Sequence, residues 1–147
     1  MEQGNAPAVT GLLLDFLETA AALEKRLDRV LSGGRGISFS EYRLLRALAA
    51  APAGTAARVD LAAAVGLTAS AITRALKPLE KVGVVTTQRG ARDARQSLAS
   101  LTPAGSELLG QVQGMVEDVL ESSAARRFST RQIEALRACL DELGGRP

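Results

Sequence analysis

Residues 58–105, RVDLAAAVGLTASAITRALKPLEKVGVVTTQRGARDARQSLASLTPAG, contain two short helical patterns, a glycine stop between them and a basic loop flanked by β-forming residues. Leu61 and Val65 recur at helical spacing before Gly66, a residue free to take the left-handed conformation that ends a helix. Thr68 is a good N-cap for the next helix, and Leu67 is placed to staple onto Ile72, four positions after the cap. A second helix launched so soon after the first must cross it at a steep angle. Gly83 then breaks the chain; Val84 to Thr87 suit a strand, QRGARDARQ a loop, and residues 97–101 a returning strand. Helix, turn, helix and basic hairpin is the order of a winged helix-turn-helix, whose second helix offers its outward side chains to a major groove of double-stranded DNA.

The flanks are helical. From about Thr10 to Leu31 the positions Leu13, Phe16, Leu17, Ala20, Leu23, Leu27, Val30 and Leu31 define an amphipathic helix, with Ser32-Gly33-Gly34 as its expected stop. Ser38-Phe39-Ser40-Glu41 has capping-box spacing, so a second helix is expected to run to about Ala51, with Tyr42, Leu45 and Leu48 inward. Thr102-Pro103 starts another helix, with proline in the first turn where its missing N–H does no harm. That helix carries Leu108, Leu109, Val112, Met115, Val116, Val119 and Leu120 on one wide face. Ser129 with Gln132 supplies a further capping box, opening a last helix with Ile133, Leu136, Leu140 and Leu143.

Charge follows the same organisation. The chain of 147 residues has a formal net charge of +2, yet residues 58–95 hold seven bases against three acids, a local net of +4. Basic charge gathered on the groove-reading element is the electrostatic footprint of a duplex binder. There is no histidine and one cysteine, Cys139, which removes the usual soft and imidazole metal sites and the common nucleophilic dyads. With no paired-carboxylate pattern and no phosphate-cradling glycine loop, an enzyme is not expected, nor is a cofactor. No apolar run approaches the ~20 residues of a membrane span, the N-terminus MEQGNAPAV lacks a basic start before an apolar segment, and a cytoplasmic location is expected.

The segment LAAAVGLTASAITRALKPLEKVGVV, followed by Asp93-Ala94-Arg95 and then SLASLTPAG, resembles the multiple-antibiotic-resistance regulator (MarR) family of transcription factors. The resemblance covers nearly the whole chain. It implies that the helix started at Leu67 and Thr68 is the recognition helix, that the D-x-R segment lies in the wing, and that L-T-x-x-G opens the next long helix. It also implies that the terminal helices of two protomers interleave into a dimer. The expected fold is mostly α (α+β): an N-terminal dimerisation helix (1–36), a winged helix-turn-helix module (37–101) and C-terminal dimerisation helices (102–147). The expected function is a ligand-responsive repressor that binds a palindromic operator as a homodimer. The alternative is a protein-interaction antagonist that keeps the fold without DNA affinity.

The expected DNA contacts are Thr68, Ser70, Ala71, Thr73, Arg74 and Lys77. A helix N-terminus favours phosphate, and Thr68, Ser70 or Thr73 can each donate to an oxygen. Arg74 is the residue to reach a guanine edge through two parallel hydrogen bonds, while Ala69 and Ala71 can touch only a thymine methyl. Pro78 lies inside the expected helix; either the axis bends near Arg74 or the neighbouring packing tolerates it. In the wing, a guanidinium can enter a narrow A·T-rich minor groove. By resemblance that residue is Arg95, oriented by Asp93, with Arg89 and Arg92 on phosphates.

Family members commonly respond to small aromatic acids held between the dimer helices and the winged module. Lys25, Arg26, Tyr42 and Arg43 are the candidate ligand residues, because a phenol beside basic groups suits a carboxylate. Cys139 falls on the last helix, and is expected there as a small buried apolar residue.

Overall fold

The computed structural model describes residues 6–89, 97–122 and 124–145. Its first helix, α1, spans Ala6–Arg35 and so runs through Gly33 and Gly34, where a stop was expected. A helical glycine costs about 1 kcal/mol relative to alanine but does not by itself end a helix. The end comes at Gly36, whose φ is +68° and whose N–H reaches back to the Ser32 carbonyl at 3.1 Å. Gly34 has a packing use instead: a Cβ there would collide with the terminal methyl of Met115.

By length and composition alone α1 is apolar enough to cross a membrane, which corrects the expectation that no apolar stretch approaches a span. Alanine, glycine and threonine fill the gaps between its large residues, and Asp15 and Glu18 are the only charges between Ala6 and Leu23. Leu27 and Leu31 are buried, whereas Leu12, Leu14, Phe16 and Leu17 are exposed.

Helix α2 (Phe39–Ala50) starts at the expected capping box. The Ser38 hydroxyl accepts from the Glu41 N–H at 3.0 Å, and the Glu41 carboxylate accepts from the Ser38 N–H at 2.7 Å. Asp28 of α1 adds a third bond, accepting from the Phe39 N–H at 2.9 Å. Tyr42, Leu45 and Leu48 are buried as expected, together with Leu44. A 3₁₀ turn at Pro52–Gly54 places Ala53 at φ +54° and leads into β1 (Thr55–Ala57), a strand absent from the sequence reading. Three residues of Thr-Ala-Ala carry neither alternation nor strong β-propensity; pairing makes the strand.

Helices α3 (Arg58–Val65) and α4 (Ala69–Lys81) follow, then the hairpin of β2 (Val85–Arg89) and β3 (Ser97–Leu101). The antiparallel sheet has the order β1-β3-β2. Gln88 and Arg89, expected in the loop, pair with Leu98 and Ser97 and so extend β2. On the other edge of β3, Thr55 faces Ser100, with their hydroxyls 2.8 Å apart.

Helix α5 (Pro103–Glu121) is anchored at its start. The Thr102 hydroxyl donates to the Gly83 carbonyl at 2.7 Å and accepts from the Gly105 N–H at 3.0 Å. The Thr102 N–H reaches the Val84 carbonyl at 3.2 Å. A Cβ on Gly105 would collide with that same Val84 oxygen and come 2.7 Å from Leu101 Cδ1, so only glycine fits here. The L-T-P-A-G restart is therefore a lock between the hairpin base and α5.

The chain forms two compact units, residues 1–115 and 116–147, with the division inside α5. The first has one core, in which Leu31, Leu44, Leu45, Leu48, Leu61, Ile72, Leu76, Leu79, Val85 and Val112 are fully buried. Each buried aliphatic side chain contributes roughly 1.5–3 kcal/mol. The second unit holds a 3₁₀ turn at Ala124–Arg127 and α6 (Thr130–Leu143), which starts at the expected Ser129–Gln132 capping box. No residue of α6 is buried; Ile133, Leu136, Leu140 and Leu143 are 41–56% exposed. Cys139 is exposed as well, against the expectation of burial, because among the described residues none buries a side chain of this helix.

Candidate nucleic-acid interface

Two caps set the geometry of α3 and α4. Gly66 closes α3 at φ +68°, and the guanidinium of Arg43 donates to the Val65 carbonyl at 2.7 Å, satisfying one of the carbonyls left open at the helix end. Thr68 opens α4 with its hydroxyl accepting from the Ala71 N–H at 3.2 Å. With only Gly66, Leu67 and Thr68 between them, the two helices turn through 103°, inside the range of DNA-reading pairs.

Burial then divides α4 cleanly. Ile72, Leu76 and Leu79 enter the core. Thr68, Ser70, Arg74 and Lys77 are exposed, and Lys81 extends the same side by one more turn. The steps 70, 74, 77 and 81 place a hydroxyl and three cations along one ridge. Lys81 was not singled out in the sequence, although this spacing was there to find it. Ala69 is exposed and Ala71 half-buried. Pro78 sits within a helix assigned continuously from Ala69 to Lys81. The carbonyl deprived of its N–H partner belongs to Arg74, and both residues lie on the exposed side, where water can take the missing bond.

Thr73 differs from the other hydroxyls. It is half-buried, its Oγ1 donates to the Ala69 carbonyl at 3.1 Å, and it accepts from Arg58 Nη1 at 3.1 Å. The single hydroxyl hydrogen is therefore directed at the helix's own backbone, not at a phosphate. Arg58 had been counted in the basic stretch but not assigned to the site. Its link to Thr73 spans 15 residues between two helices, a pairing that no local spacing rule detects.

The wing is carried by β2 and β3. Arg89 is exposed at the end of β2, opposite Ser97, whereas Arg92, Asp93 and Arg95 lie outside the described residues. The base of the wing is tied to α4, since the Thr87 hydroxyl donates to Glu80 Oε1 at 2.6 Å. Helix α4 and the hairpin are thus held to each other by a side-chain bond as well as by the shared core.

The four candidate ligand residues do not lie together. Lys25 and Arg26 are exposed on α1, and Lys25 lines a shallow cleft with Ala21, Glu24, Asp28, Phe39 and Ser40. Tyr42 is 5% exposed, with its ring centroid 6.0 Å from that of Phe39, and Arg43 is engaged at the end of α3.

A comparison with curated proteins gives no significant match. The MarR family profile matches residues 35–96, which include α2, α3, α4 and β2. Among solved structures, the fold is similar to that of a MarR family transcriptional regulator from Streptomyces coelicolor in complex with DNA. That pair shares 27% identity and a TM-score of 0.84, covering 92% of this chain and 84% of the other. The transcriptional regulator BldR from Sulfolobus solfataricus matches over the whole of both chains at 21% identity, with a TM-score of 0.84. NadR in complex with 4-hydroxyphenylacetate shares 24% identity over 88% of this chain and 89% of its own, with a TM-score of 0.71. With the profile on the helix-turn-helix and the fold shared along nearly the full length, this chain has the winged helix fold of the MarR family regulators, and its residues 35–96 match that family's profile.

Proposed function

We propose that this protein is a sequence-specific regulator of transcription that binds double-stranded DNA as a homodimer on a palindromic operator and represses by occupying the promoter. The observation that carries the reading is the ridge of Ser70, Arg74, Lys77 and Lys81, exposed along α4 while Ile72, Leu76 and Leu79 fix the opposite face in the core. Arg74 reads a guanine edge, the lysines neutralise phosphates, and in the wing Arg95, oriented by Asp93, enters the flanking minor groove while Arg89 and Arg92 hold phosphates. The MarR family regulator that shares 27% identity was solved with DNA, which supports the same reading here.

Homodimerisation is supported by uncovered apolar side chains. Val9, Leu12 and Phe16 of α1 and Ile133, Leu136, Leu140 and Leu143 of α6 recur at helical spacing and are exposed in the single chain. A second protomer that covers them gives α1 an aqueous role in the cytoplasm in place of a membrane one, and two-fold symmetry places the half-sites ~34–36 Å apart.

A small aromatic acid completes the reading as the effector that releases DNA. Lys25 beside Phe39 offers a cation and a ring to such a molecule, with Arg26 on the same helix, while Tyr42 is buried against Phe39 and Arg43 is engaged at the end of α3. The complex of NadR with 4-hydroxyphenylacetate supports this ligand class.

Selection of bound fragments from random duplex DNA tests the proposal. Enrichment of an inverted repeat, with affinity that falls steeply as salt is raised, is the expected result. No enrichment at low salt overturns it in favour of a protein-binding role. Loss of binding on adding 4-hydroxyphenylacetate supports the effector, and unchanged binding across aromatic acids removes it.

A further inference from the structure

We propose that Arg58 makes Thr73 an acceptor-only group on the recognition helix, so that this position selects a base presenting an exocyclic amine in the major groove. The inference rests on the DNA-reading role proposed above. A threonine hydroxyl has one hydrogen and two lone pairs. In this structure the hydrogen goes to the Ala69 carbonyl and one lone pair receives Arg58 Nη1. What is left is a single acceptor, on a half-buried residue that flanks the exposed ridge of α4. Such a group repels phosphate oxygens and the acceptor atoms of guanine and thymine, and accepts from adenine N6 or cytosine N4.

Arg58 is held at a cost. Its Nε is buried and has no hydrogen-bond partner among the described residues, although the side chain as a whole is half-buried. A buried donor left unpaired destabilises a fold, so stability alone does not account for an arginine at this position. Its guanidinium reaches from the first residue of α3 to the second turn of α4, next to the groove-reading Arg74. Arg58 is thus a positioning residue that acts on DNA through Thr73.

The test compares fragments selected from random duplex DNA by the wild-type protein and by Thr73→Val, Thr73→Ser, Arg58→Met and the Arg58→Met/Thr73→Val pair. The wild type is expected to require adenine or cytosine at one position of each half-site. Replacing that base by its analogue lacking the exocyclic amine should weaken binding roughly tenfold, and which analogue does so separates adenine from cytosine. Thr73→Val loses the preference and Thr73→Ser retains it. Arg58→Met broadens the preference at that position alone, keeps the melting temperature, and adds nothing further in the Thr73→Val background. A drop in affinity shared by all sequences, with a shallower salt dependence in both backgrounds, overturns the proposal and makes Arg58 a phosphate contact. A lower melting temperature with an unchanged base preference makes it structural and overturns the proposal equally. Enrichment of a site with no amine-bearing position sinks this inference alone, whereas no enrichment by the wild type sinks the DNA-reading role with it.

Discussion

Helices α4 and α6 are both amphipathic, both capped by a hydroxyl, and nearly equal in length, yet they are completed in opposite ways. Helix α4 buries Ile72, Leu76 and Leu79 within its own chain and exposes cations; α6 buries nothing and exposes Ile133, Leu136, Leu140 and Leu143. The contrast shows that an apolar stripe specifies only that something must cover it. For α4 the cover is α2, α3 and the sheet, which precede and follow it closely in the chain. For α6 the cover we propose is a second copy of the protein, and the two halves of the operator are brought together by that same surface.

The largest expected effect comes from removing that cover. Leu136→Glu with Leu140→Glu should convert a two-chain particle to one chain by sedimentation, and lower operator affinity on the order of 100-fold as the second half-site is lost. Isolated half-site binding should survive, because α4 is built within one chain; a variant that stays dimeric breaks the comparison. Next is Gly105→Ala, which forces a Cβ into the Val84 carbonyl. A loss of about 3 kcal/mol in urea unfolding is expected, toward the upper end for overpacking, and it should appear in the dimer and in the monomeric variant alike. Arg74→Ala should cost about 1–3 kcal/mol on the operator with relaxed preference at one position, while Lys81→Ala should weaken all sequences evenly and reduce the salt slope by about 1. Equal behaviour of the two would mean that the ridge on α4 is only a phosphate surface. The smallest effect is Ala53→Gly, which relieves a left-handed alanine and should raise stability by up to about 1 kcal/mol. An unchanged melting temperature would show that the turn carries no strain that the module feels.

Much of this architecture was legible in the chain. The capping pairs Ser38–Glu41 and Ser129–Gln132, the Thr68 cap, the left-handed Gly66 and the buried positions of α2 were all readable, because each depends on residues three to five apart. The candidate site was legible in part. Exposed Thr68, Ser70, Arg74 and Lys77 followed from periodicity, whereas the pairing of Thr73 with Arg58, 15 residues away, did not. The ligand residues show the same limit: Tyr42 and Arg43 resemble pocket groups in sequence, but burial and the Val65 carbonyl engage them within the fold.

The sequence by itself determined where helices start, which face of each is apolar, and where positive charge gathers, since these follow from local hydrogen bonding and side-chain period. Tertiary structure alone decided the rest. Thr55–Ala57 is a strand because β3 lies beside it, with Ser100 45 residues away. Helix α1 passes through Gly33 and Gly34 because the left-handed step falls at Gly36 and Met115 packs at Gly34. Gly105 is required because the Val84 carbonyl occupies the space of its missing side chain. In each case the deciding partner is distant along the chain, and its contact exists only once the core has brought the two segments together.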